Sequence, residues 1–438
     1  MAQLALDDHP SRYPLVNELH ARPFPELTAP CRAVYLAIKE PENAAERDKT
    51  RDFAHLIALL DRYGAAHPAP GASHYSGRLG RHFLKWEMHT EFVTYTLFGD
   101  DVAERPFSGE MFRLFPEDWL RAAPGRVVAS AIVRVDQASG EAVQQTIQEE
   151  VPRWFVPESL AVSRVLDGDA VVASDFRLDE HGHARLAVLA QPSIGTRRLG
   201  RIVQRLLEIE TYKAMAMLTL PQARMVATAV ARLDRELSDV VAAMAAGRGE
   251  EAETLDQLLK MAAEIEFLSS TTAFRFGAAE AYAAIVWQRI EVLREERVGG
   301  RQLFVEFMMR RFDPAMRTCR SAKARLDELS ARAERASNLL RTRVDVGNQA
   351  ANQATLKAMD RRAALQLRLQ ETVEGLSVVA ISYYAVQLAS GFAAPLLEPF
   401  GIGRNAVLAV LTIPVVLVVW YFVRRIRRRI TAPDGGAP

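Results

Sequence analysis

The chain has 438 residues, 49% hydrophobic and 25% charged, with a formal net charge of +1. The last fifteen residues hold five Arg and one Asp, so residues 1–423 sum to −3. A body with that balance is not a basic nucleic-acid binder. Cys31 and Cys319 stand far apart, in no metal-ligand spacing, as suits a reducing compartment.

The opening MAQLALDDHPSRYPL has early acids and prolines and no apolar core, so it does not read as a signal peptide. Residues 1–30 carry Pro10, Pro14, Pro23, Pro25 and Pro30 and predict an extended, wrapped arm. CRAVYLAI (31–38) predicts a buried strand, and 43–63 a helix stopped by Gly64. The glycines and prolines of 64–80 predict a loop, and 84–98 a single alternating strand. Residues 125–135, 169–176 and 183–190 add Val- and Ala-rich strands. The expected fold class is therefore an α/β or α+β N-terminal cytoplasmic domain over 1–192.

From about residue 196 the apolar residues recur at helical spacing. Helices are expected to break at Pro221, to run from about 252 to 298 and stop at Gly299–Gly300, and to end again at Pro314, closing a helical region over 193–314. Over 315–374 a long stalk helix is expected. Its stripe Ala322, Leu326, Leu329, Ala333, Ala336, Leu340, Val344, Gly347, Ala351, Ala354 and Ala358 has near-heptad spacing with one stutter. It suits packing within the chain or around a symmetry axis in a coiled coil.

Two uncharged segments follow, 375–397 and 405–423, each about the 20 residues a helix needs to cross a bilayer. Lys357, Arg361, Arg362 and Arg368 precede them. Arg424, Arg425, Arg427, Arg428 and Arg429 follow, within a basic tail over 424–438. Positive residues at both outer ends predict a hairpin with both termini cytoplasmic at a bacterial inner membrane. The tail arginines would also attract anionic lipid headgroups. In the first span Ala380, Tyr383, Gln387, Ser390 and Ala394 recur at 3, 4, 3, 4 and form a small, polar stripe. A Gln in a membrane helix faces protein or water, so the stripe predicts a helix-packing face or the lining of a pore in a homo-oligomer.

Chemistry has one candidate region. Seven of the nine histidines precede residue 90, and 67–92 is densest. On one strand from Lys85, Glu87, His89 and Glu91 would share a face, a row that could bind a metal, do acid–base work, or pack as a polar seam against the arm. Within 67–92 the H-E-x-x-H and H-x-H spacings are absent, the H-x-H of His181–His183 reads as turn chemistry in DEHGH, and a P-loop, G-x-G-x-x-G, G-x-S-x-G and C-x-x-C are absent from the chain. No cofactor and no catalytic residue is predicted.

The segments NELHARPFP (17–25), HPAPGASHYSG (67–77), LKWEMHTEFVTYT (84–96), FPEDWL (115–120) and MDRRAALQLRLQETVEGLSVVAISYY (359–384) resemble an uncharacterised bacterial family of predicted membrane-anchored proteins. The resemblance covers nearly the whole chain and implies no activity. The architecture, with AVLAVLTIPVVLVVWYFVRR near the end, is also similar to the CorA magnesium-channel superfamily. That similarity implies an oligomer and a Mg pathway. The turn here reads EPFGIGRN, without that family's Gly-Met-Asn signature: Gly401, Ile402 and Gly403 stand there, followed by Arg404 and Asn405.

The sequence thus predicts a non-enzymatic, membrane-anchored binding or assembly module, its expected partners being the bilayer and further copies of the chain. A divergent divalent-cation channel and a membrane-tethered metal enzyme using 67–92 are the alternatives.

Overall fold

The computed structural model describes residues 6–13, 15–16, 23–42, 44–248, 251–397 and 404–430. His20, the turn from Glu398 to Gly403 and the tail beyond Ile430 lie outside them, as do the side chains of Ala394, Arg404, Arg427, Arg428 and Arg429. The chain divides into two compact units, Met1–Ser337 and Asn338–Pro438.

The first unit is built on a nine-stranded sheet. Its strands are β1 (Cys31–Lys39), β2 (His74–Leu79), β3 (His82–Met88), β4 (Phe92–Gly99), β5 (Arg126–Gln137), β6 (Ala161–Val165), β7 (Ala170–Ser174), β8 (Ala184–Ala190) and β9 (Glu296–Arg297), in spatial order 2-3-4-1-5-8-7-6-9. Among the described strands β5 and β8 pair in parallel and the other neighbours are antiparallel. The N-terminal domain is thus a mixed sheet with helices, as the strand runs predict.

Around the first half of the sheet, the core joins Leu56, Leu59 and Leu60 of helix α1 (Lys49–Arg62) to Trp86, Tyr95 and Leu97 of the strands. Met111 and Phe115 also enter this core, with Trp119 of helix α2 (Glu117–Arg121). Asp48 caps α1, its carboxylate accepting from the Thr50 N–H at 2.9 Å. Short helices α3 (Glu141–Gln145) and α4 (Val151–Trp154), with the turn between them, cover the second half through Val143, Ile147, Val151 and Trp154.

Several boundaries differ from the sequence expectation. The stretch 64–80 contains β2, because the Tyr75 ring folds over Gly77. A β-carbon there would meet the Tyr75 hydroxyl at 2.3 Å, so the glycine makes room for a side chain and not for a turn. The expected single strand over 84–98 is two, β3 and β4, reversing at His89–Glu91. No Gly or Pro marks that turn. The Arg47 guanidinium holds it, donating to the carbonyls of His89 at 2.8 Å, Phe92 at 3.1 Å and Thr90. Asp52 accepts from the same group at 2.7 Å.

Beyond the sheet come α5 (Thr196–Met217), α6 (Thr219–Ala245) and α7 (Glu251–Glu291). The break falls at Leu218, ahead of Pro221. The proline sits in the first turn of α6, where its missing N–H would have no partner anyway. Helix α7 ends at Glu291, short of the expected 298, because Glu296 and Arg297 pair with Arg164 and Ser163 at the sheet edge.

The expected stop at Pro314 is also absent. Helix α8 runs unbroken from Phe304 to Leu397. Phe304, Met308, Phe312, Met316 and Cys319 are buried on both sides of the proline. Their continuous packing offsets the roughly 3 kcal/mol that an interior proline costs. The small-residue stripe is buried from Ala322 to Ala336 and exposed at Gly347, Ala351, Ala354 and Ala358.

In the second unit, the end of α8 and α9 (Arg404–Ile430) are the helical elements described. Pro414 lies inside α9.

Candidate functional site

Strand alternation decides which side chains meet α5. On β4, Val93, Tyr95 and Leu97 enter the aromatic core, so Phe92, Thr94, Thr96 and Phe98 take the opposite face. On β3, Leu84 and Trp86 enter the core and Lys85 and Glu87 oppose them. Register places Lys85 beside Thr96, Glu87 beside Thr94, and Tyr35 of β1 beside Thr96. A central sheet therefore turns a polar patch toward a helix.

That patch floors a cavity of about 240 Å³. Gln204, Leu207, Glu208, Thr211 and Tyr212 of α5 form its roof, Arg289 of α7 one end, and Phe24 and Pro25 of the arm another wall. The arm is fastened there: the Leu27 N–H donates to the Thr196 carbonyl at 3.2 Å, and Arg197 donates to Glu26 at 2.8 Å.

The polar groups of the cavity form one chain of alternating charge. Lys85 Nζ donates to Gln204 Oε1 at 2.7 Å and lies 3.1 Å from Glu87 Oε1. Gln204 Nε2 donates to Glu208 Oε1 at 2.9 Å, and Arg289 Nε donates to Glu208 Oε2. Lys85 is 4% exposed, so its ammonium is held by these neighbours in place of bulk water. With His89 neutral, the wall's formal charges cancel, Lys85 and Arg289 against Glu87 and Glu208. The Tyr35 and Thr211 hydroxyls lie 2.7 Å apart, and burial raises the Tyr35 phenol well above its ordinary range.

The expected row Glu87, His89, Glu91 does not form on one strand. Glu87 and His89 line the cavity, with His89 stacked on Phe92 at 4.3 Å. Glu91 turns elsewhere and is 2% exposed. Its carboxylate accepts from Arg275 Nη1 at 2.6 Å and from the Tyr282 hydroxyl at 2.7 Å. Burial, then the hydrogen bond to Glu91, pushes the Tyr282 phenol up. Among the described residues, no group of three His, Cys, Asp or Glu side chains is placed to hold a metal ion. Phe24 and Pro25 of the Pro-rich arm line the same cavity as Glu87 and His89.

In the second unit, two helices are long and apolar enough to cross a bilayer. The window Leu408–Ile426 of α9 has none of its residues buried. Its half-buried positions Leu408, Leu411, Val415, Val419 and Val423 recur at 3, 4, 4, 4, one face of a helix. On the apolar end of α8, over 375–393, the buried positions are Ser382, Val386 and Ser390. Both helices line a groove with Glu374, Gly375 and Val378 on one side and Trp420, Val423 and Arg424 on the other. The Arg424 guanidinium lies 4.8 Å from the Trp420 ring centre, and Arg425 follows it as an exposed residue. The polar stripe is divided: Ser390 lies on the buried face, whereas Ala380, Tyr383 and Gln387 are exposed.

A family model described as "Protein of unknown function (DUF3422)" matches residues 7–430. The chain belongs to that family. The match spans the arm, the cavity-bearing unit and both apolar helices, so the DUF3422 pattern covers the whole architecture. No curated protein matches the chain.

Sequence reasoning toward this DUF3422 member reached Glu87 and His89 but missed Lys85, Thr94, Thr96, Gln204, Glu208 and Arg289. The signal available was the period-two polar row Thr94–Thr96 inside an otherwise apolar strand, opposite the polar breach Gln204–Glu208 in an amphipathic helix.

Proposed function

We propose that this chain is a membrane-anchored, non-enzymatic binding and assembly module of a bacterial inner membrane. Its large body and both termini face the cytoplasm, and it works as a homo-oligomer. The observation that carries this reading is the unburied apolar surface of α9. Val410 is 73% exposed and Ile413 69%, with Leu417, Tyr421 and Phe422 exposed beside them. Each such side chain left in water forgoes about 1.5–3 kcal/mol of burial, and a bilayer supplies the missing apolar surroundings. Arg424 and Arg425 at its end suit the headgroup layer, and anionic lipid is the expected partner.

The test is membrane retention with topology. Full-length protein should stay in the membrane pellet after alkaline carbonate washing, and a reporter active only in the periplasm should remain silent when fused after Pro438. Release into the wash, or a strong periplasmic signal, overturns the reading.

A second reading is a divergent divalent-cation channel with Mg as its ion. The exposed pair Tyr383 and Gln387, with Gln387 Nε2 3.5 Å from the Tyr383 hydroxyl, favours it as a polar face open to neighbouring copies. Arg404 at the turn opposes it. Mg flux into proteoliposomes, lost in Gln387→Leu, would support the channel. Vesicles tight to Mg would leave the anchor.

A further inference from the structure

The cavity between the sheet and α5 is a built site whose unclaimed groups have both signs of charge. An ammonium has three donors, and the contacts described above use two of those on Lys85. Among the described residues Arg289 uses Nε on Glu208 and Nη1 on Gln288, with no partner there for Nη2, and Glu87 uses Oε1, with none for its second oxygen. Thr96 is 5% exposed at the cavity floor, and its hydroxyl has no hydrogen-bond partner among the described residues, so it can meet a ligand in the space beside it.

Size and charge together narrow the occupant. At about 240 Å³ the space lies just under the range of roughly 300–1,000 Å³ for small-molecule pockets, which suits a small ligand. The wall's two cations and two carboxylates cancel. A ligand with net charge would therefore bring an uncompensated charge into a partly enclosed space, whereas one that is neutral overall but carries both charges would not. Phe24, Pro25, Phe92, Phe98 and Leu207 supply an apolar surround for a short hydrocarbon body.

We infer that this cavity binds a small amino-acid-like zwitterion, its carboxylate toward Lys85, Arg289 and Thr96 and its ammonium toward Glu87. The inference rests on reading the body as a binding module and is independent of the membrane placement.

Full-length protein in detergent micelles would be titrated calorimetrically with L-alanine, L-leucine and L-phenylalanine, which grade the apolar body. Controls are 3-methylbutylamine and 4-methylpentanoate, each lacking one charge of leucine. At least one amino acid should bind saturably and raise the melting temperature. Each singly charged analogue should bind about tenfold or more weakly, since a charge-assisted hydrogen bond is lost. Lys85→Met should abolish binding. Thr96→Val, close in shape and free of a new charge, should weaken it about tenfold and keeps the test valid if the lysine variant fails to fold. No saturable binding by any of the three, analogues that bind equally well, or wild-type affinity in Thr96→Val overturns the assignment. Protein that stays in the carbonate-washed membrane yet ignores all three amino acids loses the ligand and keeps the anchor.

Discussion

The carbonyl oxygen of Pro25 lies 1.7 Å from where a β-carbon on Gly200 would stand. The arm therefore crosses α5 at its second turn with backbone against backbone, and only glycine permits the approach. Phe24 and Pro25 are placed over the cavity by this crossing and by the Leu27–Thr196 hydrogen bond.

Gly200→Val should lift the arm without unfolding the body, because the new side chain meets the arm's own backbone. Hydrogen exchange should show the Leu27 amide losing protection while the amides of β1 and β5 keep theirs. Simultaneous loss in all three would mean that the glycine supports the whole unit and not the arm alone.

Glu91 and Arg275 tie the β3–β4 turn to α7 with both side chains largely out of water, 2% and 11% exposed. Arg275→Met leaves a carboxylate buried with the Tyr282 hydroxyl as its remaining partner, and should cost about 3 kcal/mol or more. Adding Glu91→Gln should recover much of the loss. Urea melts of the two single variants and the double variant give the coupling. Additive losses would show that the pair contributes no mutual stabilisation.

Acid should destabilise the body through its buried histidines. His55 stacks on Trp119 at 3.9 Å, its Nδ1 is 2.9 Å from the Tyr95 hydroxyl, and its Nε2 is 3.0 Å from the Trp119 carbonyl. The carbonyl requires Nε2–H, so Nδ1 is the acceptor, and the neutral ring is fully satisfied. Burial is the first cause holding His55, His82 and His183 below the ordinary histidine range. With folded values depressed, their contribution is fully present above about pH 6.5 and is lost as pH falls through the folded values. Glu295, raised first by burial, acts in the opposite sense. The melting temperature should fall between about pH 7 and pH 5, and His55→Gln should flatten the fall while costing about 1–2 kcal/mol at neutral pH. An unchanged slope in the variant would remove His55 from the account.

In the proposed homo-oligomer, single cysteines along 378–392 should crosslink at 383 and 387, which are exposed on α8, and not at 382, 386 and 390, which are buried. The native thiols should be silent, since Cys31 is 3% exposed and Cys319 4%. Burial pushes the Cys31 thiol up to about 12, with the Asp100 and Asp136 charges adding to the effect. A peak at 381, 388 and 392 would place the subunit contact on the other side of the helix.

Strands β1, β5 and β8 were legible because their Val- and Ala-rich runs are buried on both faces. The His89–Glu91 reversal was not, because the group that holds it, Arg47, is distant in sequence and satisfies carbonyls that a local turn motif would otherwise serve. Helix α8 passed its proline for a related reason: periodic burial on either side outweighed a local rule. The candidate site was half legible. Glu87 and His89 stood out by composition, but the groups completing the cavity come from α5 and α7, far along the chain.

The far edge of the sheet has a consequence for the order of synthesis. β6 is finished by Glu296 and Arg297, which leave the ribosome only after the whole of α7. Ser163 of β6 and the half-buried Glu295 accept the Phe304 and Val305 N–H groups at 3.2 and 3.3 Å. Until those residues emerge, the nascent sheet keeps an open strand edge, the kind of surface on which neighbouring chains pair wrongly. The same short stretch then closes that edge and anchors the start of α8, so the body is sealed before the first apolar segment is made.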